Sequence, residues 1–350
     1  VIEACFCVPG DLDTPTGGYA YARHLHARLP EAGVIVSPVT LSAAFPHPGV
    51  ADLADTATRL ASAPEGTVLL IDGLAYGALP TPVIAAAGRR PIVALVHHPL
   101  GLEAGLSRDE ANRLIGTERA ALALAARVVT TSRFTRDLLA AEFAVPANRI
   151  TVAEPGTEPA RRARGGNGHP VRLLAVGALT PRKGFDILVA ALERLPDLPW
   201  DLTIAGALDR APDHVAALRR VIAEAGLDAR ITLAGAVSAT RLDALYDGAD
   251  LVVSPSLFEG YGMALAEALA RGLPVVSTTG GAAADTVPDA AGLKVPPGDG
   301  SALAEALHVL INGSTRRAKA GQAAWEAGQR LPRWSDTARC VARVLRQVRP

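Results

Sequence analysis

At 350 residues the chain is longer than one ordinary domain and long enough for two. Half of it is hydrophobic and a fifth charged, which excludes a disordered chain, a collagen and a coiled coil. The 35 basic and 35 acidic residues balance, and division at residue 165 leaves 15 against 16 and then 20 against 19, so neither half reads as a nucleic-acid binder.

In the first half, short β-branched runs at Ile2–Val8, Val34–Leu41, Val68–Ile71, Ile92–His97, Arg127–Ser132 and Ile150–Ala153 are expected strands. Amphipathic stretches at Gly18–Leu29, Arg108–Ala126 and Arg133–Phe143 are expected helices. Cys5 and Cys7 share one face of the first strand and read as buried thiols rather than metal ligands. With Cys340 they make an odd count and no disulfide framework, which fits a reducing cytoplasm. The longest apolar stretch, Val68–Ala87, is interrupted by Asp72, Gly73, Gly77, Pro80 and Pro82. No segment could span a bilayer, and no signal peptide is visible, so a soluble or at most peripheral cytoplasmic protein is expected.

The small, basic, Gly-rich run Ala160–Pro170 has no apolar period and reads as an exposed connection. Alternation then restarts, with strands expected at Arg172–Val176, Asp201–Ala205, Arg230–Ala234, Leu251–Ser254 and Pro274–Thr278. Helices are expected at about Phe185–Leu195, Asp213–Ala225, Ala239–Asp247, Met263–Arg271 and Ser301–Asn312. This is the pattern of an α/β protein with two Rossmann-like doubly wound domains, 1–165 and 166–330, facing each other across a hinge. Ligands bind such sheets at the carboxyl ends of the strands, so the inter-domain cleft is the expected site. After Gly313 the chain turns helical and basic, from Arg316 to Arg349. Nine basic residues there oppose Glu326 and Asp336, and the stretch reads as a solvated helical face.

The most informative stretch is Ser254-Pro-Ser-Leu-Phe-Glu-Gly-Tyr-Gly-Met263, running on through Glu267 to Gly272-Leu-Pro-Val-Val276. A buried strand ends at Ser254, and a glycine-containing loop opens a helix whose first amides can hold an anion. Glu259 lies in that loop, where a carboxylate can accept hydrogen bonds from sugar hydroxyls. Glu267 falls eight positions later in an apolar stretch and either meets a polar ligand or caps the loop backbone.

Two carboxylates at this spacing, after Ser-Pro-Ser and before Gly-Leu-Pro-Val-Val, resemble the signature of the family 4 glycosyltransferases. These are retaining enzymes of the two-domain GT-B fold that use nucleotide sugars. The resemblance covers nearly the whole chain, because further motifs match in order. It implies that Glu259 contacts the donor sugar and Glu267 the ribose, while the amides of Gly260, Tyr261, Gly262 and Met263 serve the sugar and phosphates. In Val176-Gly-Ala-Leu-Thr-Pro-Arg-Lys-Gly184 it assigns Lys183 to the donor diphosphate. Many relatives carry an arginine where this chain has Ala178, and Arg182 is the candidate replacement. In Pro15-Thr-Gly-Gly-Tyr-Ala-Tyr21, Gly17 and Gly18 match the donor-phosphate loop of the first domain. In Leu95-Val-His-His-Pro-Leu-Gly-Leu-Glu103, His97 matches the active-site histidine, with His98 and Glu103 on the acceptor side. The edge Arg230–Val237, with Gly235, matches the region that reads the base. Residues 331–350 are expected to form a helix returning to the first domain.

The implied reaction transfers a sugar from a nucleoside-diphosphate sugar, a UDP-sugar by family frequency, to an unidentified small-molecule, glycan or lipid acceptor. A double displacement needs a carboxylate beneath the anomeric carbon, and Glu259 is the only candidate, with another role implied for it. Front-face substitution is therefore expected, with cations in place of a metal and no cofactor. Asp11-Leu-Asp13 reads as a turn rather than a metal site. An epimerase of the same architecture and a catalytically silent nucleotide-sugar-binding protein remain the alternatives. A dinucleotide dehydrogenase is disfavoured, since no Gly-x-Gly-x-x-Gly follows a strand.

Overall fold

The computed structural model describes residues 2–166 and 168–348; Asn167 and Arg349, which fall in two of the stretches read above, lie outside them. The chain forms two compact units, Val1–Gly156 with Pro332–Pro350, and Thr157–Leu331.

In the first unit, strands β1 (Ile2–Pro9), β2 (Val34–Leu41), β3 (Val68–Asp72), β4 (Ile92–Val96), β5 (Arg127–Thr130) and β6 (Ile150–Val152) form one parallel sheet in the order β2-β1-β3-β4-β5-β6. Every residue of β3 and β4 is buried, which is why these strands read as unbroken apolar runs instead of alternating ones. Cys5 and Cys7 sit in the core with Leu69, Ile71, Ala94 and Val96. The order reverses between β1 and β3, so the loops after those two strands are neighbours.

In the second unit, β7 (Val171–Val176), β8 (Trp200–Ala205), β9 (Ile231–Gly235), β10 (Leu251–Ser254), β11 (Val275–Thr278) and β12 (Gly292–Val295) form a second parallel sheet, ordered β12-β11-β10-β7-β8-β9. Here the reversal falls between β7 and β10. Trp200, Phe185, Leu188, Leu202 and Ile204 fill the core on one face of the sheet.

Three features of the second half of the chain depart from expectation. The four-residue edge strand β12 escaped notice because it opens on Gly292 and carries the polar Lys294, and edge strands need not be apolar. The Ala160–Pro170 run is no free connection. Its Ala163 N–H donates to the Arg271 carbonyl at 2.9 Å, Gly165 N–H donates to the Asp247 carbonyl at 2.9 Å, and Arg164 pairs with Asp247. Backbone bonding of this kind is invisible to composition. Finally, the basic C-terminal stretch is two helices, Ser314–Gly328 and Trp334–Gln347, broken at Leu331-Pro332, where the chain leaves the second unit.

The helix Trp334–Gln347 returns to the first unit and packs on the helix Gly17–Arg28, burying Trp334, Ala338, Val341, Ala342, Val344 and Leu345. Gly156, past β6, lets the start of this helix approach the chain there: a Cβ at Gly156 would lie 2.1 Å from the Trp334 amide nitrogen. No helix among the described residues is long and apolar enough to cross a membrane.

Candidate active site

Each sheet reversal gathers one group of the sequence-predicted residues. In the second unit the loops after β7, β10 and β11 lie side by side. The turn after β7 is a short 3-10 helix, Pro181–Lys183, started by proline and closed by Gly184 in the left-handed region. It is stitched to the loop after β10 in both directions. Leu257 N–H donates to the Arg182 carbonyl at 2.8 Å, and the Arg182 guanidinium donates to the Phe258 carbonyl at 2.7 Å.

This stitching delivers two cations to one carboxylate. Lys183 Nζ lies 2.6 Å from Glu259 Oε1, and Arg182 Nη1 lies 3.9 Å from Oε2. Ser256 Oγ donates to the same Oε1 at 2.6 Å. Glu259 is itself buried, at 7% exposure. Burial pushes its carboxyl up, but the Lys183 and Arg182 charges and the hydrogen bonds from Lys183 and Ser256 together outweigh that and hold it below the ordinary range. Its backbone is clamped by the loop after β11: Glu259 N–H donates to the Gly280 carbonyl, and Ala282 N–H donates to the Glu259 carbonyl. The Thr278 hydroxyl donates to the Ser256 carbonyl beside it.

After Glu259 the chain passes Gly260 and the buried Tyr261 to Gly262, whose φ of 92° starts the helix Met263–Ala270. Gly262 is a positive-φ position, so a side chain there would strain the turn that aims the helix start. Glu267 lies in the second turn of that helix. Burial raises its carboxyl, against the charge of Arg271 and a hydrogen bond with Tyr246. At the far edge, Gly206 N–H donates to the Gly235 carbonyl at 2.9 Å, joining the loop after β8 to the end of β9.

The first unit repeats the arrangement with different chemistry. The helix Gly17–Arg28 follows β1 after the loop 10–16, with the Thr16 hydroxyl accepting from Tyr19 N–H at its N-cap. His97 lies just past the end of β4, not within it. Its ring rests on Gly18, where a Cβ would lie 3.6 Å from His97 Cδ2, and meets the edge of Tyr21 at a centroid distance of 5.1 Å. His97 Nε2 lies 3.3 Å from Asp72 Oδ2, at the end of β3. His98 turns instead toward Glu103, at 3.8 Å, as adjacent side chains at a strand end should. Asp11 accepts from the Asp13 amide at 2.9 Å, the turn expected of that pair. Among the described residues no His, Cys, Asp and Glu side chains cluster as a metal site would.

Gly18 and His97 thus meet within the first unit, and Arg182, Lys183 and Glu259 meet within the second. Sequence reasoning missed Asp72 and Ser256. Ser256 was within sight, three residues before Glu259 in the same motif. Asp72 had only a weak local signal, a carboxylate closing a buried strand before glycine.

A model of the glycosyl transferases group 1 family matches residues 157–327, and one of glycosyltransferase family 4 matches residues 68–161. The chain belongs to the family 4 glycosyltransferases. The D-inositol 3-phosphate glycosyltransferase of Pseudarthrobacter chlorophenolicus is 31% identical over 252 residues, covering 68% of this glycosyltransferase-family chain and 59% of that protein. The enzyme of the same name from Xylanimonas cellulosilytica is 32% identical over 253 residues, covering 67% of this chain and 60% of its own length. This chain therefore spans less than two thirds of the length of these relatives. The sucrose-phosphate synthase of Thermosynechococcus elongatus has the same fold, with a TM-score of 0.85 at 22% identity over 99% of both chains. Anabaena HepE in complex with UDP-glucose gives a TM-score of 0.80 at 18% identity, over 99% of this chain and 100% of that one. Both sheets, and the family assignment, are those of the GT-B architecture.

Proposed function

We propose that this chain transfers a sugar from a nucleoside-diphosphate sugar, a UDP-sugar first, to an acceptor hydroxyl with retention at the anomeric carbon. The observation that carries the reading is the buried Glu259 held between Lys183 and Arg182 at the sheet reversal, beside a glycine-started helix. Such reversals are where doubly wound sheets bind nucleotides. Lys183 has three N–H donors and gives one to Glu259, so two can meet a diphosphate. Glu259 takes sugar hydroxyls, Glu267 the ribose, and His97 with Gly17 and Gly18 the sugar and its phosphate.

A carboxylate pinned by two cations and a serine suits hydroxyl binding better than nucleophilic attack, so the substitution is front-face. The bond from the anomeric carbon to the diphosphate oxygen breaks as the acceptor oxygen bonds on the same face. The acceptor proton passes to the departing diphosphate, whose charge Lys183, Arg182 and the helix-start amides hold. Cations at these positions make a metal unnecessary. His98 and Glu103 belong to the acceptor side.

The test is a screen of UDP-, GDP- and ADP-sugars in EDTA, with product anomers read by NMR. Relatives named for D-inositol 3-phosphate and a neighbour solved with UDP-glucose put inositol phosphates and UDP-glucose first in it. Transfer with retention is expected, and Glu259→Gln and Lys183→Ala should each lower turnover at least about 100-fold in folded protein. Near-wild-type rates in either variant would sink the site assignment. Epimer formation without acceptor would make the chain an epimerase, donor binding without turnover a silent binding protein. Activity lost in EDTA and restored by Mg²⁺ would overturn the metal-free mechanism.

A further inference from the structure

Asp72 is a buried side chain beside His97 that no motif accounts for. It ends β3, is 5% exposed, and uses its two oxygens differently. Oδ1 accepts from Leu74 N–H at 2.9 Å and so caps the short helix that follows the strand. Oδ2 faces His97 Nε2 at 3.3 Å. The rest of the His97 surround leaves the ring little freedom: Gly18 lies against its Cδ2 edge, Tyr21 packs edge-on, and the Thr131 hydroxyl donates to the His97 carbonyl at 3.3 Å. Tyr21 is in turn fixed by its hydroxyl, which donates to the Ala153 carbonyl at 2.9 Å, and by the edge of Trp334.

We propose that Asp72 is the positioning residue for His97: it holds the imidazole as the Nε2–H tautomer, so that Nδ1 is presented to substrate as a hydrogen-bond acceptor. This rests on the reading of His97 as a substrate-binding residue. The reason is donor and acceptor inventory. An ionised carboxylate only accepts, so the ring nitrogen facing it must carry the proton, and a neutral imidazole then has its lone pair on the other nitrogen. The consequence narrows the role of His97. In the neutral form it accepts a hydrogen bond from a hydroxyl, of the donor sugar or the acceptor, and its one N–H, given to Asp72, is not available to the leaving phosphate. Asp72 reaches the reaction only through His97.

The experiment is long-range ¹H–¹⁵N correlation NMR on the histidine-labelled chain, with the His97 signal among the eight histidines assigned by its loss in His97→Gln. The wild-type chain is expected to show His97 as the Nε2–H tautomer, and an Nδ1–H tautomer would overturn the proposal. In Asp72→Asn the amide oxygen can keep the cap on Leu74, which turns the NH₂ toward Nε2. The proton should then move to Nδ1. Turnover should fall at least about tenfold with the donor KM within about twofold, since a wrong tautomer in intact geometry costs rate rather than binding. An unchanged tautomer or an unchanged turnover in Asp72→Asn would overturn the assignment. Asp72→Ser, which keeps a capping oxygen but no carboxylate, should lose the single-tautomer signal and serves if the asparagine variant does not fold. The tautomer is read without substrate, so a wild-type chain with the expected tautomer and no sugar transfer would count against the proposed function and leave the Asp72–His97 pairing standing.

Discussion

Glu118 is fully buried in the helix Arg108–Leu124, with one oxygen accepting from Leu100 N–H at 2.9 Å and the other without a hydrogen-bond partner among the described residues. Burial pushes its acid up to about 8, from an ordinary 4.5, against the opposing Leu100 hydrogen bond. The native state therefore holds a proton that the unfolded chain has released, throughout the interval from about 4.5 to about 8. Stability from this group is greatest below that interval and falls as pH rises through it. Glu118→Gln keeps an acceptor for Leu100 and removes the titration. Its melting temperature should draw ahead of wild type as pH rises from 6 to 9, by an amount equivalent to at least about 2 kcal/mol at pH 9. Parallel melting curves across that range would show that Glu118 stays ionised in the folded protein. The position matters because Leu100 lies three residues beyond His97, so this carboxyl anchors the loop that carries both histidines.

At the scale of elements, the helix Trp334–Gln347 braces the first unit through aromatic contacts. Trp334 stacks on His24 at 4.1 Å and meets Tyr21 edge-on at 5.5 Å, and Tyr21 meets His97. Trp334→Ala should lower stability by about 3–5 kcal/mol, read by urea unfolding, because it empties a site that two ring systems wall. A loss below about 1 kcal/mol would mean the helix is held elsewhere. Elements of this kind were only partly legible. Of the twelve strands among the described residues, eleven announced themselves, since buried parallel strands are continuous β-branched runs, and the polar edge strand β12 did not. The helix Val50–Ser62 was passed over because its run of small and polar residues hides an apolar face of few positions, Thr56 and Leu60 being the buried ones. The site divides the same way. Lys183, Gly184 and Glu259 lie in compact local motifs, while the Asp72–His97 pair joins residues 25 apart through a strand order that no local spacing encodes. The tying of Ala160–Pro170 to Asp247 and Arg271 was hidden for the same reason.

For the whole molecule, the division into units does not follow the order of the sequence. The first unit takes residues from both sides of the second, and its core includes Trp334, Val341 and Leu345. Ending the chain after Leu331 should therefore damage the unit more than 170 residues away in sequence and spare the one next to the cut. Hydrogen exchange should show lost protection in β1, β3 and β4, with β7, β8 and β10 still protected. Unchanged protection in the first sheet would show that the returning helix is an accessory.

The same crossing has a consequence for biosynthesis. Ribosomes add about 5–20 residues per second, so the 175 residues from Thr157 to Leu331 take about 9–35 s to make. For that time the nascent first unit has its six strands but not the helix that covers Tyr21 and stacks on His24. The second unit, continuous in sequence, can close before its elder neighbour does. The unit that is translated first is thus finished last, and a growing chain carries an uncovered aromatic patch for much of its synthesis.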